Sequence, residues 1–554
     1  MRVTSWSNGT GLLAFGGLSS SLANEDDVLS EDGLTNELWY YHFQHHESGS
    51  VADLATLGDW EGSWVQLGGG PAHASFTDRE QAADAKTWPR ARYGGSAWMV
   101  PTGAAQTYTI GLLFSGGFSD VDQSASMDQG LLLQPNDLWL YTDDAFRYIG
   151  GAVTHTLLAD VQALADTFKQ GYVTESSGKQ WPLGRYDAQT FVLNGTVHLF
   201  SGWMEPTSMS AGNVRSERYL LNDHWQGALT ESGQWQWDTP DTNSLCVQAR
   251  YDGSETELIP SEDEEEEAKN AIQAPGPRSS AAVWTPATEN HWHEKEEPTA
   301  VVYMFGGYGL QESLQRNNPS HCVYDNVNDL NSHPDELCDL WRYDGKVHGS
   351  VWIEGPARGW AGQTGWTMIG ACANNLHNAK FPALGAGLSP HDSGVDIMSK
   401  SMMSSIPYPI QNAYRATAWG DSENLWLFGG TSMKDNSPKD PPGQFDAAKN
   451  ECSSDVWRYT IRENTWNRYQ GEDVGALVWP GGRCDALAWS GPGPVVSADE
   501  KSYRLGRSDD YSSGAWILGG YQTTLDGWTR ICNRMQLPAM DDVAPANSTY
   551  RFYP

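Results

Sequence analysis

A chain of 554 residues is too long for one ordinary core, so it is either several domains or one large repeat architecture. Its formal net charge of -35 repels phosphates, which excludes nucleic acid as a partner and makes an anionic membrane surface unattractive. No apolar run approaches the roughly 18 residues of a membrane span, so no transmembrane segment is expected in this chain, and no secretory leader is visible.

Helix signals are sparse. The 58 glycines and 26 tryptophans punctuate short apolar runs, which points to an all-β fold. The first run, "RVTSWSNGTGLLAFGG" from Arg2 to Gly17, has an arginine, a strand, a tight turn, an apolar strand and a glycine pair. The order recurs in "RYGGSAWMV" with "GLLFSGGF" from Arg92, and in "RYDAQTFVLNGTVHLFSGW" from Arg185. It returns in "RSSAAVWTP" with "AVVYMFGGY" from Arg278, in "YRATAWGDSENLWLFGG" around Arg415, and in "RCDALAWSG" with "GAWILGGY" from Arg483. After each glycine pair a polar stretch leads to a second signature. These are "NELWYYHF" at Asn36, "NDLWLYT" at Asn136, "SERYLLND" at Ser216, "CDLWRYDG" at Cys338, "SDVWRYT" at Ser454 and "NSTYRFYP" at Asn547. A further aromatic strand follows at Trp64, Phe146, Trp235, Trp352 and Trp466.

This ordered pattern resembles the kelch repeat over nearly the whole chain. The resemblance implies an all-β, six-bladed kelch-type β-propeller, one four-stranded blade per repeat, in a single domain over residues 1–554. The blades fall at about 2–68, 92–151, 185–238, 278–355, 415–471 and 483–554. The last is incomplete as read. Either "GWTRI" at Gly527 is its third strand and "YRFY" its fourth, or its edge is closed by sequence beyond this chain or by a partner's strand. Arg2, Arg92, Arg185, Arg278, Arg415 and Arg483 are the repeated arginines, read as buried donors to backbone carbonyls rather than ligand contacts. The glycine pairs are Gly16-Gly17, Gly116-Gly117, Gly306-Gly307, Gly429-Gly430 and Gly519-Gly520, where the backbone turns tightly. Second-to-third-strand links (18–35, 119–135, 205–215, 310–337, 432–453, 523–546) and blade-to-blade links (69–89, 152–183, 239–277, 355–413) far exceed the common loop length of about 4–6 residues. First-to-second-strand turns are mostly short, with exceptions at 287–298 and 492–513, and in an up-and-down blade the other two kinds leave on the same side, so most of the extra sequence should crowd one face.

Candidate chemistry is thin. His45-His46-Glu47 and His291, His293 and Glu294 have metal-ligand residue types but sit in polar loop sequence, and are read as solvated. No catalytic, cofactor-binding or metal residues are assigned. Tyr41-His42 resembles the pair of copper-radical oxidases that carry kelch-like blades, without a cross-linking cysteine or further ligands that can be placed. The acidic run Ser261 to Glu267 is read as solvated, with Ca2+ or a basic partner as the functional alternative. Asn8, Asn194 and Asn547 begin sequons, two of them in "NGT" turns, and become glycosylation candidates if the chain is exported. Seven cysteines contain no C-x-x-C pair, the odd count leaves at least one thiol unpaired within the chain, and Cys322 with Cys338 is a candidate bridge. The expected function is a non-enzymatic protein-binding scaffold that works through the loop-rich face. Glycan binding is the alternative, and a kelch-type oxidase a remote third. Composition leans toward an extracellular or cell-surface setting, with the cytoplasm as the other reading.

Overall fold

The computed structural model describes residues 4–7, 11–17, 34–43, 62–69, 88–101, 110–117, 131–142, 145–153, 156–158, 172–174, 178–210, 213–216, 219–221, 223–230, 234–238, 275–284, 301–309, 323–325, 335–345, 351–353, 359–361, 365–370, 414–420, 423–431, 452–463, 465–469, 482–490, 495–496, 503–504, 515–518, 521–524, 527–530 and 534–536. The described regular structure is all β, and its arrangement is propeller-like. Four antiparallel meanders have four strands each, in chain order from one edge to the other. Sheet one comprises Thr4–Ser7, Gly11–Phe15, Leu38–Phe43 and Gly62–Gly68. Sheet two comprises Ser96–Pro101, Ile110–Ser115, Leu138–Thr142 and Ala145–Gly150. Sheet three comprises Gln189–Leu193, Thr196–Phe200, His224–Leu229 and Trp235–Asp238. Sheet five comprises Tyr414–Gly420, Asn424–Thr431, Val456–Thr460 and Thr465–Tyr469.

Sheet four lies between them with six strands. It runs from Ala282–Trp284 through Val302–Phe305, Leu340–Tyr343, Trp366–Gly370 and Gly359–Ala361 to Val351–Ile353. Sheet six has Leu487–Ser490, Ala515–Leu518 and Arg534–Gln536 among the described residues. The first strands of consecutive sheets run alongside one another from sheet one through to sheet six, which is the inner ring of a propeller. Between sheets four and five, Trp284, Tyr303, Phe305 and Leu340 meet Leu425, Leu427, Trp457 and Trp466 in one buried cluster. Between sheets two and three, Trp98, Leu138 and Leu140 meet Val197, Leu199, Trp225 and Trp237. Indoles fill these wedges because each buries roughly 150–250 Å², and two of them also spend their donor across the seam. Trp98 Nε1 donates to the carbonyl of His198 (2.9 Å) and Trp284 Nε1 to that of Trp426 (2.9 Å), each reaching the second strand of the next sheet.

Three strand assignments differ from the sequence reading. The third strand of sheet three is His224–Leu229, not the segment at Ser216, because its third strand pairs through Leu199↔Trp225. Tyr219–Leu221 belongs to a separate small sheet. The fourth strand of sheet four is Trp366–Gly370, and the stretch around Trp352 is the outer arm of a hairpin that intervenes in sequence and adds to the sheet's far edge. The blade boundary at 355 therefore falls short. In sheet six the strand paired with Ala515–Leu518 is Arg534–Gln536, while Gly527–Arg530 forms its own hairpin with Tyr521–Thr524. Residues 547–554 lie outside the described residues.

One disulfide, Cys452–Cys484, ties the entry to the third strand of sheet five to the segment leading into sheet six. Cys338 is also disulfide-bonded. The 32-residue separation of Cys452 and Cys484 lets the bridge restrict the unfolded chain by about 3.7 kcal/mol on loop-closure entropy. The double substitution C452S/C484S is expected to lower unfolding stability by about 3–4 kcal/mol, measured by urea titration against the oxidised parent.

Candidate functional site: the inner rim and its cap

The repeated arginines explain how the ring is held. Arg92, Arg185 and Arg278 precede the first strands of sheets two, three and four and are fully buried. Each grips the carboxylate two residues before the tryptophan of its third strand. Arg92 holds Asp137 at 2.5 and 2.8 Å, and Arg278 holds Asp339 at 2.7 and 2.8 Å. Arg185 holds Asp223 in the same two-pronged way, with Nη2 to Oδ2 at 2.7 Å. Nη1 also donates to the carbonyl of Gly116, Ser201 or Gly306, and Nε to the carbonyl two residues upstream. The same aspartate accepts from the indole of Trp139, Trp225 or Trp341. These guanidiniums are spent on the fold.

The glycine pair supplies the stitch to the next sheet. Gly116 and Gly117 sit at φ 61 and 106, and Gly306 and Gly307 at 68 and 96, a left-handed path that side chains resist. In sheet three the pair is Ser201-Gly202, with Ser201 at φ 53. The second residue's N–H donates to the carbonyl of the following arginine: Gly17 to Arg92 (2.8 Å), Gly117 to Arg185 (2.7 Å), Gly202 to Arg278 (3.0 Å) and Gly430 to Arg483 (2.8 Å). Gly16 and Gly429 make the corresponding turns, while Gly519, Gly520 and Arg2 lie outside the described residues.

Arg415 is not a member of the arginine series. It stands four residues before Trp419, whereas Arg92, Arg278 and Arg483 stand six before Trp98, Trp284 and Trp489. Its position matches Gly94, Asp187, Ser280 and Asp485, and Arg415 shares their left-handed backbone, with φ 56 against 64, 52, 51 and 51. These residues form a belt at the inner rim. Asp187 N–H donates to Gly94 (2.8 Å), Ser280 N–H to Asp187 (3.1 Å) and Asp485 N–H to Arg415 (3.1 Å). The Arg415 side chain reaches Asp485 at 3.3 Å and lies over the Tyr414 ring. Arg2 holds the same offset from Trp6 in sequence. Arg483 is buried, and loss of solvent pushes its guanidinium below the ordinary arginine value.

Beside this belt runs a second one of aromatic rings. Tyr93 meets Tyr186 at 5.8 Å, Tyr186 pairs its backbone with Trp203, Trp203 meets Tyr308 at 6.1 Å, and Tyr308 meets Tyr414 at 5.6 Å. The Tyr186 hydroxyl donates to the buried carboxylate of Glu205 (2.8 Å).

Among the described residues, insertions of sheets two, three and four begin at this rim and build a cap. Trp203–Met204 pairs with Tyr219–Leu221, which pairs with Val323–Asp325 from the insertion of sheet four. Leu131–Leu133, from the insertion of sheet two, pairs with Thr156–Leu158 and with Thr207–Ser210, and the latter continues to Asn213–Ser216. Leu133, Leu183, Met204, Tyr219 and Leu221 bury a second small core beneath them. Asn136 pins the cap's base by donating to the Pro182 carbonyl (2.8 Å) and accepting from the Ala152 N–H (2.7 Å). The opposite side carries tight turns such as Asn194-Gly195, an exposed hairpin tip with φ 51 and 79. Asn194 is thus the one sequon asparagine among the described residues.

Other candidates fall elsewhere. The Tyr41 ring packs against Trp64 at 5.1 Å in the outer half of sheet one. His45, His46, Glu47, His291, His293, Glu294, the acidic run 261–267, Asn8, Asn547 and Cys322 lie outside the described residues. The sequence reading passed over the acid that precedes each third-strand tryptophan, although "NDLW", "NDHW", "CDLW" and "SDVW" display it, and over the buried histidines His198 and His224.

No protein-family profile matches this chain, and none of the curated proteins matches it. Among solved structures, that of YjhT aligns with 98% of this chain and 95% of its own at 9% identity and a TM-score of 0.42.

Two substitutions probe the rim and its clasps. Asp137→Asn strands a buried guanidinium and is expected to cost about 3–5 kcal/mol in urea unfolding. The double replacement R92M/D137L should cost less than the sum of the two single changes, and additive effects would refute the clasp. Tyr186→Phe removes the hydroxyl's hydrogen bond to Glu205 and is expected to cost about 1–3 kcal/mol in the same assay.

Proposed function

We propose that the chain is a six-bladed kelch-type propeller that serves as a non-enzymatic, protein-binding scaffold and docks its partners on the capped face. The observation that carries this reading is the interlacing of the insertions that follow the glycine pairs, against which the other side carries a single-sheet hairpin at 351–361 and another at 495–504. Insertions of sheets two, three and four leave at the glycine pairs and interlace into small sheets over the rim, whereas hairpins such as Leu193–Thr196 turn back at once on the other side. A face built from interlocked insertions with its own buried core presents a fixed surface. Fixed surfaces bind without the ordering cost that free loops incur.

The disulfide Cys452–Cys484 and the bonded Cys338 support an oxidising compartment, outside the cell or on its surface. In that setting Asn194 is a glycosylation site on the face away from the partner. Glycan recognition has less support, because Tyr186, Trp203, Tyr308 and Tyr414 are buried against one another and offer no open ring face. The oxidase alternative is weakened by the position of Tyr41, far along sheet one from the rim and packed on Trp64.

The test replaces the hairpin 207–216 by a short Gly-Ser linker, leaving Trp203–Met204 and Tyr219–Leu221 in place. Partners fixed to the parent by cross-linking in its native source are identified and their affinity for both forms measured. At least a tenfold loss is expected with the thermal midpoint retained, and a Gly-Gly turn at 194–195 should bind as the parent does. Equal binding after trimming every cap insertion would overturn the proposal.

A further inference from the structure

Sheet three carries two imidazoles where the other sheets carry apolar side chains. His224 occupies the place held by Leu38, Leu138, Leu340 and Val456, the first residue after the clasping acid. His198 faces it from the second strand, and Nδ1 of His198 lies 3.0 Å from Nε2 of His224. Both are buried, at 2% and 5% exposure. Their cage is aromatic. Phe191 stacks on His198 at 4.6 Å, Phe200 stands edge-on to His224 at 5.7 Å, and from sheet four Tyr343 and Trp366 come within 5.1 and 5.8 Å of His224. The pair therefore sits on the seam between sheets three and four.

One proton can be shared between the two facing nitrogens. Two imidazoliums would set N–H against N–H inside an apolar cage. The charged groups adjoining the pair are already engaged. Asp223, next to His224, is gripped by Arg185, and Asp344, beyond Tyr343 on sheet four, pairs with Arg342 at 2.9 Å. Tyr343 accepts from Gln226 (3.2 Å), and burial pushes its phenol up to about 12, so it stays neutral. Gln226 is the remaining polar neighbour and carries no charge.

We propose that His198 and His224 form an acid-sensitive latch on the seam between sheets three and four: closed while both rings are neutral, and opened when the pair is forced to take up protons. Burial holds His198 down to about 3 from 6.5, and holds His224 well below its ordinary value by burial first and the charge of His198 second. The folded seam thus binds fewer protons than the opened one between pH 6.5 and about 3, and its stability falls as the pH drops through that window. The step is a protonation, with solvent as the proton source and no bond otherwise changed. The cap sheet joining Tyr219–Leu221 to Val323–Asp325 ends just before His224, so opening the seam loosens the capped face. The latch itself does not depend on the binding role proposed above.

Hydrogen exchange of the whole chain read by mass spectrometry at pH 7.5 and 5.0, corrected for intrinsic exchange, tests it. Segments 189–200, 224–229, 340–343 and 366–370 are expected to open about 30-fold more at pH 5.0 for each imidazole, while 414–431 and 456–469 change little. The double variant H198Q/H224Q should lose the pH response. Equal protection at both pH values, an equal loss in sheet five, or an acid response retained in the variant would overturn the latch. If the variant fails to fold, histidine-selective 13C NMR of the native chain decides. Two ring signals that stay neutral to pH 5 are expected, and titration of all 14 histidines near pH 6.5 would refute it.

Discussion

The buried guanidinium–carboxylate pair is the constraint from which the architecture follows. A charge taken out of water must be matched on every side or it destabilises the fold by several kcal/mol. Arg278 meets that demand with a two-pronged carboxylate, two backbone carbonyls and no solvent. Satisfying it fixes the positions of four segments at once: the entry to the first strand, the glycine turn after the second, the start of the third, and, through the indole of Trp341, the packing of the third strand itself. The carbonyl of Arg278 is in turn held by Gly202 of the preceding sheet. Each clasp therefore closes one sheet and docks it on its neighbour. Because the chain leaves the clasp at the glycine turn, length inserted there emerges on the rim side, and the cap is a geometric consequence of where the charge is neutralised.

The clasp is replaced in two sheets and the aromatic contact at a third place, each by a different chemistry. In sheet one, Glu37 takes the aspartate's place and accepts from Trp39 at 2.9 Å. In sheet five the position six before Trp419 is Ala413, so no arginine arrives from the rim; Arg468 reaches Asp455 from the fourth strand instead, at 2.9 and 2.7 Å. At the seam with sheet six, Cys484 stands where Tyr93, Tyr186 and Tyr414 stand in other sheets, and a disulfide to Cys452 substitutes for the aromatic contact. A repeat can lose its polar keystone when a covalent or outer-strand tie holds the same two segments. The left-handed backbone of Arg415 is tolerated for a related reason: its carbonyl and side chain are both tied to Asp485, the next member of the rim belt.

Much of this was legible in the sequence. The glycine pairs and the all-β character follow from residue types whose backbone preferences are strong and local, as the left-handed angles at Gly116-Gly117 and Gly306-Gly307 bear out. What failed was register over distance. "SERYLLND" reads as a third strand because Tyr219, Leu220 and Leu221 are apolar, yet the acid-x-Trp spacing two residues later marks the true one. Periodicity cannot separate two buried strands that differ only in their partners; the position of a buried carboxylate can. Trp352 and Trp366 posed the same difficulty, since a hairpin inserted ahead of the fourth strand leaves both tryptophans on strands of one sheet. Arg415 was misassigned by residue type, and counting back from the tryptophan would have separated it from Arg92, Arg278 and Arg483.

The histidine pair departs from the repeat for no reason that folding supplies. Leu138, Leu340 and Val456 show that an apolar side chain fits the position of His224, fully buried, in the same architecture. At the second-strand position of His198, sheets four and five carry Tyr303 and Trp426. Sheet three has changed both at once, and the two imidazoles satisfy each other. A local choice that works against burial, made twice and in mutual register, is the kind of inconsistency that concentrates where a protein does more than fold. Its location sharpens the point, because the seam it occupies lies under the cap sheet that joins insertions of sheets three and four. The asymmetry between seams gives the ring a preferred place to yield: the seam between sheets four and five is apolar on both sides, and the seam between three and four contains the only buried imidazole pair among the described residues.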